Sequence, residues 1–125
     1  MKVVNHMQID FEKMQGLAPA VIQDASTGEL LMVGFMNREA LEVSLRTGFV
    51  TFYSRTRSSL WTKGETSGNR LRIASAWTDC DRDTVLMQVL VQGEGKVCHT
   101  GSRSCFTEEL QLGITDQTLE MDAMS

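Results

Sequence analysis

In the run Asp79-Cys80-Asp81-Arg82-Asp83 the three aspartates are spaced by two, so on an extended backbone their carboxylates share one side and Cys80 faces the other. Two carboxylates about 4 Å apart repel by roughly 4 kcal/mol at an effective dielectric of about 20. Converging carboxylates therefore spread apart, take up protons or share a cation. An all-oxygen donor set suits Mg²⁺ or another hard divalent ion. The alternative is a solvated acidic turn. An EF-hand is excluded, because the Gly and Glu it needs downstream are missing.

A second group lies in Cys98-His99-Thr100-Gly101-Ser102-Arg103-Ser104-Cys105. Its two thiols bracket six residues, a wider spacing than in a structural zinc knuckle. With Cys80 added, three thiolates could hold Zn²⁺ and leave its fourth position to water, the pattern of a catalytic zinc. Zinc deaminases use such a water against an electrophilic base carbon. A cysteine-phosphatase loop needs five residues between Cys and Arg, and here there are four. No C-x-x-C is present to support a thiol redox protein. The alternative for all three cysteines is that of small buried hydrophobes. His99, with an ordinary pKa near neutrality, is the first candidate to carry protons and Glu65 the second, whereas His6 reads as a surface histidine.

The third group is a polar, glycine-bearing stretch. Gly64 and Gly68 permit close backbone approach, and Lys63, Thr66, Ser67 and Asn69 offer donors to phosphate oxygens. Arg55 and Arg57 add positive charge, Trp61 can stack on a purine, and Arg103 is a further candidate substrate contact. The competing reading is a polar loop with Trp61 anchored in the core.

These residues need a scaffold. Apolar stretches at 17–25 and 29–36, separated by Ser26-Thr27-Gly28, read as a β-hairpin. Residues 38–47 read as a helix, with Asn37 as N-cap, Met36 stapled onto Leu41 and Gly48 as a left-handed stop. Residues 50–53 form a short strand, and 54–69 have the composition of a long functional loop. Strands at 70–78 and 84–91 flank the acidic run as a second hairpin, and Gly93-Glu94-Gly95 turns the chain toward Cys98. The expected class is mainly β, or α+β, with one main helix.

At 125 residues the chain makes one domain, with a core at about 17–106 and a C-terminal tail at 107–125. Apolar residues make up 42%, charged residues 22%, and there is a single Pro, which excludes extended disorder. A net charge of −4 removes the cationic field that nucleic-acid or anionic-lipid binding usually needs, so a nucleotide must be held by a local site. No apolar run reaches the length of a signal peptide or membrane span. Three cysteines cannot all pair within one chain, so reduced thiols and a cytoplasmic location are expected.

Taken in order, LMVGFMN, TGFVTFYSRTRSSLWTKGETSGN, DCDRD and CHTGSRSCF resemble the phosphoribosyl-AMP cyclohydrolase family of histidine biosynthesis, from about residue 30 to 106. The resemblance implies a pseudobarrel or sandwich of bent antiparallel sheets in an intertwined homodimer. It implies Mg²⁺ at Asp79, Asp81 and Asp83, and Zn²⁺ at Cys80, Cys98 and Cys105, with Cys80 supplied by the other subunit. The implied reaction is hydrolytic opening of the N1–C6 bond of 1-(5-phosphoribosyl)-AMP, with zinc-bound water as nucleophile. Ser58 and Ser59 depart from the Gly and basic residue often found in that loop. The tail is too short for a fused pyrophosphatase domain, so a monofunctional enzyme is expected. The alternative is a non-catalytic, zinc-stapled dimer that binds a nucleotide.

Overall fold

The computed structural model describes residues 2–114. Two strands, β1 (Ala18–Asp24) and β2 (Leu30–Met36), form the first hairpin, with Val21 opposite Val33. Its tip closes where the Gly28 amide donates to Asp24 O over 2.9 Å, and Gly28 takes φ 80°. Helix α1 (Arg38–Thr47) follows at once. The Asn37 side chain caps it by accepting from the Ala40 amide at 2.8 Å, and Gly48 ends it at φ 83°. On its inner face, buried Ser44 accepts from the Thr51 amide at 2.9 Å and so ties the helix to the next strand.

That strand, β3 (Thr51–Ser54), pairs antiparallel with β4 (Ser59–Thr62). The stretch expected to be one long loop at 54–69 therefore contains a hairpin arm, because Leu60 and Trp61 pack against the core. The Trp61 and Phe52 rings lie 5.2 Å apart at 42°. Gly34 sits mid-strand for a steric reason. A Cβ there would come within 2.5 Å of the Phe52 ring.

The second large hairpin is β5 (Leu71–Thr78) with β6 (Val85–Val91). It joins the first hairpin in a four-stranded sheet of order β2-β1-β6-β5. Because β1 and β6 run parallel, with Ala20 opposite Val85, the sheet is mixed and not antiparallel throughout. Each hairpin is antiparallel for local reasons, but which edges meet is a long-range choice that no turn residue encodes. Among the described residues the sheets do not close into a barrel. The inner face buries Ala18, Ala20, Ile22, Met87 and Val89 with Phe52 and Leu41.

On the outer face, Val33, Val21, Leu86 and Trp77 form one apolar row across all four strands. Val33 and Trp77 are 45% and 44% exposed. The neighbouring row is polar and bonded side to side: Gln88 donates to Gln23 at 3.1 Å and accepts from Ser75 at 2.7 Å. Before the sheet come two 3-10 turns, His6–Gln8 and Glu12–Met14, the first packed against α1. There Arg38 donates to His6 O at 2.9 Å and covers the Phe11 ring at 4.9 Å. Among the described residues no helix is long and apolar enough to cross a membrane.

Candidate functional site

The acidic group sits on the turn between β5 and β6. Oxygens of Asp79, Asp81 and Asp83 all lie within 4.8 Å of one another. They converge by a tight turn and not by strand alternation. The Arg82 amide donates to Asp79 O at 3.2 Å, and Arg82 itself takes φ 61°. Asp79 Oδ1 accepts from the amides of Asp83 and Thr84 at 3.1 and 3.3 Å. The three carboxylates consequently differ. Burial works to raise Asp79, but the Asp83 and Thr84 amides outweigh it and hold that carboxyl below its ordinary value. Asp83 is pushed up by burial and then by its two acidic neighbours. Such a hard, crowded oxygen set fits a divalent cation of the Mg²⁺ class.

One cation of the chain itself already leans on the group. Lys13 Nζ lies 3.6 Å from Asp81 and 3.7 Å from Asp83, and it donates to Asp81 O at 3.0 Å. Burial works to lower the Lys13 pKa, but Asp81, Asp83 and Asp10 outweigh it and raise it. Nothing in its spacing announced this lysine, which reaches the turn only because the second 3-10 turn folds back.

Cys80, exposed on the same turn, borders a groove of about 670 Å³ together with Asp79, Arg82, Trp77 and Leu45. The other two thiols are elsewhere. Cys98 and Cys105 bracket one loop, and each shifts the other's thiol. Cys98 Sγ is 3.0 Å from Thr100 Oγ1, which with the Thr100 amide draws the Cys98 thiol down to about 6. Cys105 is raised by burial and by Cys98, against the opposing pull of Lys63. A pair in which one thiol ionises readily is a zinc-compatible donor set. Within one chain Cys80 does not join it: among the described residues the acidic turn is the only convergence of three or more potential ligands.

His99 is exposed next to Cys98, and Glu65 is exposed on its own turn, its amide donating to Thr62 O at 3.2 Å. That turn is tight. Gly64 takes φ 79°, and a Cβ there would fall within 2.6 Å of the Arg70 nitrogen and still closer to Asn69. Asn69 does not point free: its Oδ1 accepts from the Glu94 amide at 2.7 Å and links this loop to the approach to Cys98. Thr66, Ser67 and Gly68 are exposed, and Gly68 donates to Gly64 O at 2.8 Å. Lys63 lies 5.7 Å over Trp61, while Trp61 packs on Phe52, so this half-buried indole contacts both the core and a cation. Arg55 covers Phe35 at 5.4 Å, and Arg57 is exposed.

Arg103 is engaged within the chain. Its Nη2 pairs with Asp24 and its Nε donates to Glu29 Oε1 at 3.0 Å. Neither acid is marked by the spacing of candidate residues, although an Asp two positions before Ser-Thr-Gly is an ordinary signal for a side chain that shapes its own turn.

With this geometry in view, the comparisons with known proteins become specific. The model of the phosphoribosyl-AMP cyclohydrolase family matches residues 32–107, more than half of the chain, and takes in all three groups from the glycine loop to Cys105. The chain belongs to the phosphoribosyl-AMP cyclohydrolase family, a family of enzymes. It is 53% identical over 107 residues to the phosphoribosyl-AMP cyclohydrolase of Solibacter usitatus, covering 86% of this chain and 84% of that one. To the phosphoribosyl-AMP cyclohydrolase of Desulfatibacillum aliphaticivorans it is 54% identical over 100 residues, or 80% of this chain and 79% of the other. To the histidine biosynthesis bifunctional protein HisIE of Escherichia coli it is 54% identical over 99 residues, or 79% of this chain and 48% of that protein. The chain thus spans about half the length of such bifunctional relatives and most of the length of the monofunctional ones.

Proposed function

We propose that this chain is the phosphoribosyl-AMP cyclohydrolase of histidine biosynthesis and opens the purine ring of 1-(5-phosphoribosyl)-AMP at its N1–C6 bond. The observation that carries this reading is the division of the thiols. Cys98 and Cys105 bracket one loop, whereas Cys80 stands on the acidic turn beside an open groove and does not join them within one chain. Half of a thiolate site in each of two places is what a homodimer needs if each zinc takes Cys98 and Cys105 from one subunit and Cys80 from the other. The apolar row Val33, Val21, Leu86 and Trp77 supports pairing of copies, since exposed contiguous apolar surface of this kind marks interaction sites.

When bound, a thiolate-held Zn²⁺ supplies Lewis acidity and brings the ionisation of water toward neutral pH. The reaction adds water to purine C6, made electrophilic by the ribosyl group on N1, and breaks the C6–N1 bond as the tetrahedral adduct collapses. The water must lose protons and N1 must gain one. His99, exposed beside Cys98, is the preferred carrier, and Glu65 is the second. Lys63, close enough to Cys105 to influence its thiol, places a cation between the thiol loop and the glycine turn, where a phosphate can be held. Asp79, Asp81 and Asp83 would hold Mg²⁺, which would help to position a phosphate-bearing end.

The test is to incubate purified protein with 1-(5-phosphoribosyl)-AMP and follow the ultraviolet change as the ring opens, with and without a chelator. Turnover in the metal-replete sample and its loss with chelator is the expected result. Nucleotide binding with no product would remove the enzyme reading and favour the zinc-stapled binding dimer.

A further inference from the structure

The loop at 98–105 has no regular secondary structure, so no strand ladder or helix sets the spacing of its thiols. Within it the Cys98 amide donates to Ser102 O at 3.0 Å and the Gly101 amide to Cys98 O at 2.9 Å, and side-chain bonds link Cys98 Sγ to Thr100 Oγ1, Thr100 Oγ1 to Ser102 Oγ and Ser102 Oγ to Ser104 O at 3.0, 3.2 and 3.0 Å. These bonds shape the loop, and the tip of the first hairpin sets where it sits. Three consecutive residues dock there. Arg103 pairs with Asp24 and Glu29, Ser104 Oγ donates to Leu30 O at 2.8 Å, and the Cys105 amide donates to Leu31 O at 2.7 Å.

Asp24 is the pivot of this contact. It is only 4% exposed, and its two oxygens have separate tasks. Oδ1 accepts from the amides of Ser26 and Thr27 at 2.7 and 3.1 Å and shapes the hairpin turn. Oδ2 takes the Arg103 guanidinium. A buried carboxylate left without its counterion is strongly unfavourable, so the turn is in its best state only when Arg103 is seated. The same fork reaches Glu29 across the tip, a two-point grip that a lysine ammonium cannot reproduce.

We infer that Asp24 and Arg103 are a positioning pair which locks the Cys98–Cys105 loop onto the β1–β2 hairpin and so presets the two thiols for their ligand. This rests on the reading that these thiols hold a metal. It assigns Arg103 to the support of the site instead of to the substrate. Outer groups that orient metal ligands are worth roughly 10- to 100-fold in metal affinity.

The experiment uses full-length Asp24→Asn and Arg103→Lys beside the unaltered protein. Asp24→Asn keeps an oxygen for the turn amides and removes the charge. Arg103→Lys keeps the charge and removes the fork. Two readouts are taken: zinc affinity by competition with a chromophoric chelator, and amide hydrogen exchange in the metal-free protein. In both variants zinc affinity is expected to fall by about 10-fold or more. Exchange at the Cys105 amide is expected to accelerate, while amides of the β5–β6 ladder keep their rates.

Unchanged zinc affinity with unchanged Cys105 exchange in both variants overturns the inference. So does acceleration across all strands alike, which would make the pair a general prop of the fold. Should Asp24→Asn fail to fold, Arg103→Lys carries the same comparison. If the unaltered protein takes up no zinc, the metal reading fails by itself, and the exchange of Cys105 against the β5–β6 amides alone decides whether the pair anchors the loop.

Discussion

The acidic turn and the thiol loop are both short, polar and rich in potential ligands, yet they differ in how complete a ligand set they gather. In residues 79–84 Asp79 accepts from Asp83 and Thr84, Arg82 donates back to Asp79, and three carboxylates meet within one turn, with Lys13 and the Asp10 amide as contacts from outside. The loop at 98–105 adds to its own bonds a grip on Asp24, Glu29, Leu30 and Leu31, and its two thiols are one short of the set expected for zinc. The carboxylate cluster is complete in one chain. On the reading proposed above, the thiol pair needs both its brace and a partner.

The largest effect is expected from Cys105→Ser, which should remove zinc retention and turnover together while the acidic turn still takes Mg²⁺. Elemental analysis of the variant beside its activity reads both at once, and full activity in a zinc-free variant would contradict the assignment. His99→Ala should come next, lowering kcat by about 10²- to 10⁴-fold, the range of general acid–base contributions, with KM little changed. A pure KM effect would move His99 from proton transfer to binding. Asp81→Asn separates the two regions from the other side: the Mg²⁺ requirement should rise by at least about 10-fold with zinc content intact. An unaltered Mg²⁺ titration would show that the carboxylates serve another purpose.

Smaller shifts come from protonation. Alkylation of Cys98 in the metal-free protein should show a midpoint at about 6, and Thr100→Val should move that midpoint upward by removing the bond that favours the thiolate. The two aspartates have opposite signs. For Asp24, burial is outweighed by the Ser26 and Thr27 amides and Arg103, so its folded pKa is below 3.8. Its stabilisation is therefore present above the unfolded value and is lost as pH falls through the folded one. Asp83 is raised by burial and its acidic neighbours, so its contribution is present below the unfolded value and is lost as pH rises through the folded one. Acid melts of metal-free protein should thus show Asp24→Asn flattening the low-pH loss and Asp83→Asn raising the melting temperature at neutral pH. The same sign of change in both variants would contradict the difference.

The contrast also explains what could be read from the chain alone. Hairpins, helix caps and the Gly48 stop follow from neighbours in sequence; the three aspartates are also gathered locally, but by a turn with Arg82 at φ 61° and not by the alternation their spacing suggests. The sequence reads Trp61 either as a stacking platform or as a core anchor, and the structure places it half-buried against Phe52. The β4 arm was lost in a polar stretch because only Leu60 and Trp61 mark it. The parallel contact of β1 with β6, the approach of Lys13 to Asp81 and the grip of Asp24 on Arg103 join residues 65 to 79 positions apart, where no local periodicity carries information. A shared zinc is what the resemblance implies; within one chain Cys80 does not join Cys98 and Cys105.

The most direct measurement mixes two inactive proteins, Cys80→Ser and Cys105→Ser, under conditions that let subunits exchange. Sharing of thiols between subunits predicts that a mixed dimer regains one intact site, with activity returning to about a quarter of the unaltered level at random pairing. If subunits exchange and no activity returns, the thiols are not shared in this way and the proposed centre is wrong.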